Sequence, residues 1–356
     1  MPAFHPLTVE AISKTTRDAV VVTLRADADG NFSFEAGQYL TFRREFGGEE
    51  LRRSYSICSA RASGVLQVGI KRVDGGVFST WANTELEVGD TLEAMPPMGN
   101  FGHSPTTSAP ARYLGVAAGS GITPILSILR TTLSSDATAR FTLIYANRDS
   151  STIMFRDDIA DLKDTYLDRL SVVHVMSRES TDIDLFHGRL DADKCAHLFT
   201  QWVDISTVST AWLCGPHDMI TTVTEALKNH GVEPSQIRSE LFSGAQPGRA
   251  RQPATSVNAV VEGITAQVTL NGDTRSFTMD SDTSVLKAAL GAKLDVPYAC
   301  CAGVCSTCKA LVIEGDVEMI ANHALEDHEV EQGYVLTCQS HVTSERVVID
   351  YDAAGH

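Results

Sequence analysis

Cys300, Cys305 and Cys308 are spaced C-x4-C-x2-C, and Cys338 follows alone within Leu336-Thr337-Cys338-Gln339. No other feature of the chain constrains its fold as tightly. Three thiolates on one tight loop can converge on a flat two-iron, two-sulfide rhomb while a distant strand supplies the fourth. Ala302, Gly303, Ser306 and Thr307 are small, so backbone N–H groups on the loop can approach the sulfides. A chain with such a loop moves single electrons.

The spacing is that of plant-type [2Fe–2S] centres. Four thiolates also bind structural zinc. Zinc ribbons bring two short C-x2-C knuckles, whereas here the fourth cysteine is solitary and the first gap is four residues. The iron–sulfur reading is therefore preferred. Cys301 adjoins a ligand, so its side chain is expected to point elsewhere.

A length of 356 residues implies two or three domains, and 43% hydrophobic with 21% charged residues is an ordinary globular composition with ample core. The net charge of −16 argues against nucleic acid as a partner, because phosphate contacts need a basic surface. From Val257 onward 5 Lys/Arg face 15 Asp/Glu, which places −10 of the total in the last stretch. That acidity could steer docking onto a basic partner, or be no more than a solvated surface. The opening Met1-Pro2-Ala3-Phe4-His5-Pro6-Leu7 lacks the pattern of a signal peptide. The longest apolar stretch, Leu114 to Leu129, is broken by Gly119, Gly121 and Pro124, so no membrane span is expected. Both readings fit a cytoplasmic protein whose eight cysteines serve metal ligation rather than disulfides. Cys58, Cys195, Cys214 and Cys301 remain as free thiols.

The texture of the chain changes twice. Residues 1–105 carry short β runs such as Val20–Leu24, Gln38–Phe42 and Leu66–Ile70, the pattern of an antiparallel barrel. Residues 106–242 alternate strands (Tyr113–Ala117, Phe141–Tyr145, Val172–Met176, Ala211–Cys214) with helical patterns such as Ile125–Leu133, which builds a parallel α/β sheet. Residues 243–256 read as a linker. Residues 257–356 hold a hairpin signal at Asn271-Gly272, a short helix near Val285–Leu290, the cysteine loop and a final strand Arg346–Asp350. The fold class is multidomain.

Arg53-Ser54-Tyr55-Ser56 ends a strand region. There an arginine can pair with a pyrophosphate, a tyrosine can lie against a flat ring and a serine hydroxyl can hydrogen-bond a ring nitrogen. Gly75-Gly76-Val77-Phe78-Ser79 opens a helical stretch and could cradle an anion; alone it would be a plain turn. Gly119-Ser120-Gly121-Ile122-Thr123-Pro124 joins a strand to a helix where a dinucleotide's phosphates can sit, without being a G-x-G-x-x-G fingerprint. Cys214-Gly215-Pro216 follows a later strand, and on its own Cys214 would be a buried structural cysteine.

Together these runs resemble the ferredoxin–NADP reductase superfamily, and their order resembles oxygenase reductase components. The wording of Arg53-Ser54-Tyr55-Ser56-Ile57-Cys58, Gly69-Ile70-Lys71-Arg72-Val73, Gly75–Ser79 and Met95-Pro96-Pro97-Met98-Gly99 is nearest to the reductase subunits of phenylacetyl-CoA epoxidases. The resemblance implies an FAD-binding barrel, an NAD(P)-binding domain and a C-terminal β-grasp ferredoxin. It implies that Arg53, Tyr55 and Ser56 contact FAD, that Gly76, Val77 and Ser79 hold its pyrophosphate, and that Ile70, Lys71 and Gly75 lie beside them. Gly119, Ser120, Gly121, Ile122 and Thr123 would cradle the nicotinamide dinucleotide, with Cys214, Gly215 and Pro216 near its reactive ring. Glu240-Leu241-Phe242 matches the family's E-x-F ending, which puts Phe242 near the flavin. Ser56, Cys214 and Glu240 are then the catalytic candidates. Ser177 and Arg178, with Arg148 as a second arginine, would bind the 2′-phosphate of NADPH, although NADH is compatible with the chain. The implied partner is the di-iron oxygenase component of a multicomponent oxygenase, with an aromatic-ring or steroid hydroxylase as the alternative. From a different class, a zinc-stabilised interaction protein on a degenerate flavoprotein scaffold is the remote alternative.

Overall fold

The computed structural model describes residues 4–26, 32–102, 111–180, 183–242 and 263–354. The expected linker, 243–256, falls outside the described residues.

The N-terminal sheet grows from runs whose alternate side chains bury. Its strands are β1 (His5–Thr16), β2 (Ala19–Ala26), β3 (Tyr39–Phe46), β4 (Glu49–Ser56), β5 (Leu66–Lys71) and β6 (Thr91–Ala94); helix α1 (Val77–Thr84) falls between the last two. The β-branched Val20-Val21-Val22-Thr23 of β2 suits a pleated surface packed on both sides, and these positions are almost all buried. The strand order is β4-β3-β6-β1-β2-β5, and an isolated antiparallel bridge between Ile57 and Val68 joins its two ends. The sheet thereby closes into the expected barrel.

The middle domain alternates as its pattern predicts. The elements are β7 (Arg112–Ala118), α2 (Ile122–Ser135), β8 (Arg140–Asn147), α3 (Arg156–Thr165), β9 (Leu170–Met176), α4 (Ala192–Gln201), β10 (Thr210–Gly215), α5 (His217–Asn229) and β11 (Ile237–Leu241). All strands run parallel in the order β11-β10-β7-β8-β9. Their near-continuous apolar runs reflect burial on both faces. One face packs Leu143 and Tyr145 against Ile125, Leu126 and Leu129 of α2. The other packs Ile144 and Leu213 against Leu198 of α4 and Val223 and Leu227 of α5. The chain order reverses between β7 and β10, and such a switch point opens a crevice beyond the carboxyl ends of the strands.

The C-terminal module contains β12 (Ile264–Leu270), β13 (Asp273–Met279), α6 (Val285–Gly291), β14 (Lys309–Glu314), β15 (Val317–Met319), α7 (Asp327–Glu331), β16 (Tyr334–Leu336), β17 (Ser340–Val342) and β18 (Arg346–Asp350). The main sheet runs β13-β12-β18-β14-β16, with β12 and β18 parallel, and α6 packs Val285, Leu286 and Ala289 onto it. Asn271 and Gly272 carry φ of 55° and 76° in the β12–β13 turn, the doubly left-handed geometry that a two-residue hairpin demands. Ser284 caps α6 by accepting from the Lys287 N–H.

By internal contact, the described chain divides into two compact units: one within Met1–Phe4, Thr41–Ser54 and Ala245–His356, the other within His5–Leu40 and Tyr55–Gly244. Among the described residues no helix is long and apolar enough to cross a membrane.

A Cβ placed on Gly121 would lie 2.2 Å from the Cys214 carbonyl oxygen, a backbone atom with no flexible end to yield. Gly121→Ala is therefore expected to destabilise the second unit by about 2 kcal/mol or more, read as a drop in Tm of several degrees.

Candidate redox site

Gly119 to Gly121 form a single tight turn that runs into α2. Two side chains set its shape. Thr123, 1% exposed, donates its hydroxyl to the Ser120 carbonyl at 3.0 Å, and the Tyr145 hydroxyl donates to the Gly119 carbonyl at 2.9 Å. Gly121, Ile122 and Thr123 are buried, so Gly119 and Ser120 are the parts of this run that face outward. What Ile122 and Thr123 contribute here is support from beneath.

Parallel pairing of β10 and β11 sets Cys214 opposite Glu240, and the Phe242 N–H then donates to the Gly215 carbonyl at 3.0 Å. Ser56, at the end of β4 and buried, hydrogen-bonds the Glu240 carboxyl. The three catalytic candidates, drawn from three parts of the sequence, therefore meet. Glu240 as a residue is half-buried, yet its Oε2 is enclosed and has no hydrogen-bond partner among the described residues. Burial pushes its carboxyl up to about 8, against the Ser56 hydrogen bond that pulls it down. Burial, and secondarily the Glu240 charge, hold the Cys214 thiol well above its ordinary range. Cys214 is therefore a sealed, neutral thiol rather than a thiolate nucleophile.

At the flavin candidates, Gly76 caps the N-terminus of α1, whose first-turn N–H groups lack intrahelical acceptors. The Ser79 hydroxyl accepts from the Val73 N–H at 3.1 Å and lies 3.3 Å from the Gly76 carbonyl, so it stiffens the Gly75-Gly76 turn. The Tyr55 ring lies 5.7 Å from that of Phe78. Lys71 approaches Asp18 at 3.9 Å, while Ile70 is wholly buried and contributes packing, its carbonyl accepting from Asn83 at 3.1 Å. In its own unit, Arg53 donates to the Arg52 carbonyl at 2.7 Å. An aromatic face at Tyr55 and an open helix start at Val77 are the chemistry that a flavin dinucleotide requires.

Arg148 and Arg178 are both exposed. The loops that carry them are laced together by hydrogen bonds from Ser177 N–H to the Asn147 carbonyl at 2.9 Å and from Arg178 N–H to the Arg148 carbonyl at 2.8 Å. The two arginines thus sit on adjoining loops at the carboxyl edge of β8 and β9. Pro216 is exposed at the start of α5.

In the C-terminal module, Cys300 is in hydrogen-bond contact with Cys305 and Cys338, and Cys338 also with Cys308. Those contacts, Cys305 first, hold the Cys300 thiol well below its ordinary range. Through these contacts the four cysteine side chains form one linked set. Sulfur receives N–H groups from Ala302 (to Cys300, 3.4 Å) and Gln339 (to Cys338, 3.6 Å). Gly303 is left-handed at φ 72° and so tightly placed that a Cβ would lie 2.8 Å from the Ala321 carbonyl oxygen. Cys301, at φ 49°, is exposed. Behind the loop, buried Thr337 donates to the Cys308 carbonyl at 3.0 Å and accepts from Tyr351 at 2.8 Å. Neither Thr337 nor Tyr351 carries a sequence signal beyond its distance from the cysteine run.

The fold and these residues define a nicotinamide-dependent flavoprotein reductase with an iron–sulfur module. Known proteins agree. Residues 6–103 match the oxidoreductase FAD-binding domain, 116–225 the oxidoreductase NAD-binding domain and 268–343 the 2Fe-2S iron-sulfur cluster binding domain. The chain is 42% identical over 358 residues to a subunit of the 1,2-phenylacetyl-CoA epoxidase of Escherichia coli K12, covering 100% of this chain and 99% of that one. It is 29% identical over 352 residues to the ferredoxin reductase component of a Rhodococcus rhodochrous 3-ketosteroid-9-alpha-monooxygenase, covering 97% and 96%. The solved phthalate dioxygenase reductase shares the fold, with a TM-score of 0.61 at 23% identity over 98% of both chains. The protein belongs to the family of oxygenase reductase components that join FAD, NAD(P)H and [2Fe–2S] domains in one chain.

Two outcomes test the site. Cys338→Ser is expected to lose iron and acid-labile sulfide, whereas Cys301→Ser keeps both, measured by metal analysis of the purified proteins. The Glu240 carboxyl, raised from 4.5 to about 8, favours its neutral form in the fold, so its stabilising contribution is full below 4.5 and is lost as pH rises through about 8. Glu240→Gln keeps the neutral form throughout. Relative to that variant, the Tm of the wild-type protein is expected to fall across this window.

Proposed function

We propose that the chain carries electrons from NADPH to the di-iron oxygenase of a phenylacetyl-CoA epoxidase in the cytoplasm. The observation that carries this reading is the 42% identity to a phenylacetyl-CoA epoxidase component over essentially both whole chains. A steroid hydroxylase partner is the second reading, supported by matches to 3-ketosteroid monooxygenase reductases at lower identity.

The bound FAD would supply a carrier that takes a two-electron hydride and releases electrons singly to the cluster, which accepts one at a time. This chain's own residues do the placing. The open N–H groups at the start of α1 are proposed to hold the flavin's phosphates, with Gly75, Gly76 and Ser79 shaping that turn and Tyr55 against its ring; Arg53 is kept as an FAD contact on the family resemblance alone. Gly119 and Ser120 receive the dinucleotide's pyrophosphate, backed by Ile122 and Thr123. Gly215 and Pro216 border the nicotinamide end, and sealed Cys214 forms an apolar floor that keeps water from it. Glu240, neutral at physiological pH, holds a proton next to the Ser56 Oγ, where it can meet a developing charge without adding one of its own. Phe242 closes the same edge. Cys300, Cys305, Cys308 and Cys338 are proposed as the cluster ligands.

Paired Arg148 and Arg178, with Ser177, support NADPH over NADH, since a 2′-phosphate suits guanidinium groups. Arg178→Ala is expected to raise KM for NADPH about tenfold or more while KM for NADH moves little, which steady-state kinetics with both nucleotides would show. An equal change for the two would remove Arg178 from that role. The partner is tested by reconstitution: with NADPH, the protein should drive epoxidation by purified phenylacetyl-CoA epoxidase oxygenase subunits. Turnover only with a ketosteroid hydroxylase oxygenase would reverse the assignment.

A further inference from the structure

Among the described residues Phe155 is one of four non-glycine residues with a left-handed backbone, at φ 58°, and it is only 2% exposed. A bulky side chain in that region costs about 1–2 kcal/mol and persists only where the surroundings fix it. Here they do. The Phe155 N–H donates to Thr15 Oγ1 of β1 at 2.5 Å, which ties the start of α3 to the barrel. Its ring reaches Gly69, in the middle of β5: a Cβ on that glycine would lie 3.1 Å from Phe155 Cζ, 2.7 Å from Thr123 Cγ2 and 3.4 Å from Met154 Cε.

Three elements meet at that point. Gly69 precedes Ile70 and Lys71 on a barrel strand, Thr123 braces the Gly119–Gly121 turn, and Phe155 opens a helix of the nucleotide-binding domain. Further links hold the same joint: Ser127 Oγ to the Ser59 carbonyl at 2.7 Å, Arg130 to the Cys58 carbonyl at 3.0 Å and Arg61 N–H to Thr131 Oγ1 at 3.0 Å. All these residues belong to the second compact unit. The hydrogen bonds fix the lateral register of the two domains, whereas the Phe155 ring on bare Gly69 fixes how closely they approach.

We propose that Phe155 is a positioning residue that sets the distance between the nucleotide turn and the flavin barrel, and with it the hydride-transfer geometry. The proposal rests on the family's nicotinamide-to-flavin reaction and not on the identity of the oxygenase. Substrate binding relies on Gly119, Ser120 and the arginines, so a misplaced joint should leave affinity intact and slow the chemical step, which is steeply sensitive to approach.

The test uses the FAD- and cluster-loaded protein. Phe155→Ala, Phe155→Leu and Thr15→Val are compared with wild type by anaerobic stopped-flow reduction, using NADPH with and without deuterium at C4. NADP⁺ calorimetry and hydrogen exchange across β5 and α2 accompany it. Phe155→Ala should slow reduction about tenfold or more and raise the isotope effect. NADP⁺ affinity should stay within about threefold of wild type. Exchange should rise in both segments. Phe155→Leu should recover most of the rate, and Thr15→Val should shift all readouts the same way by less. Reduction within about threefold of wild type in Phe155→Ala would overturn the proposal. So would affinity lost in parallel with rate, or leucine behaving as alanine. Should Phe155→Ala not fold, Thr15→Val decides: unchanged isotope effect and exchange would overturn it.

Discussion

The missing side chain at Gly121 is the constraint on which the nucleotide-binding half of the site depends. Because a Cβ there would fall 2.2 Å from the Cys214 carbonyl, the turn after β7 can lie directly on the end of β10. That contact brings the phosphate turn and the Cys214-Gly215-Pro216 edge together at the switch point. Register does the rest. Cys214 opposes Glu240 on β11, and Glu240 in turn reaches Ser56 at the end of a barrel strand. One close backbone approach thus positions groups drawn from three separate stretches of sequence.

Charge is distributed to match. The buried edge is kept neutral: Cys214 and Glu240 are both pushed toward their protonated forms by burial. The exposed edge carries Arg148 and Arg178. In the proposed nucleotide site, a phosphorylated dinucleotide would meet the arginines at its ribose end and an uncharged floor at its nicotinamide end. An ionised carboxylate at that floor would oppose the arrival of a hydride, and desolvation prevents it at neutral pH.

Much of this was legible in the sequence because the features concerned are local. Asn271-Gly272 predicts a tight hairpin through its left-handed backbone, and the chain turns there. Arg346–Asp350 forms the final strand, and the glycine run after Tyr113–Ala117 opens a helix. Less legible was where a polar side chain would point. Thr123 and Ser79 read as ligand contacts, yet both turn their hydroxyls onto their own backbone, because each sits beneath a loop whose carbonyls need partners. Ile70 lies in a motif that implies contact with a cofactor, but strand alternation buries it in the barrel. Phe155 gave no signal at all: a left-handed phenylalanine is imposed by tertiary packing, and no propensity foretells it. Gly69 did leave a trace, since a glycine inside a β run marks a close approach by another part of the chain.

The cluster loop shows the same division between local and distant causes. The C-x4-C-x2-C spacing selects a cluster, but the loop's shape depends on residues outside it. Thr337 ties the Cys308 carbonyl to Tyr351 just past the end of β18, Gln339 donates to Cys338 sulfur and to the Cys301 carbonyl, and Gly303 admits the Ala321 backbone. N–H groups aimed at thiolate sulfur stabilise added negative charge, so the residues that shape the loop also tune how readily it would accept an electron. Shape and potential therefore have a common origin here. The acidic surroundings of the module act in the opposite sense, since like charge raises the free energy of the reduced state. A firmly held loop follows from this small set of contacts, while the N–H groups and the surrounding carboxylates pull the ease of reduction in opposite directions.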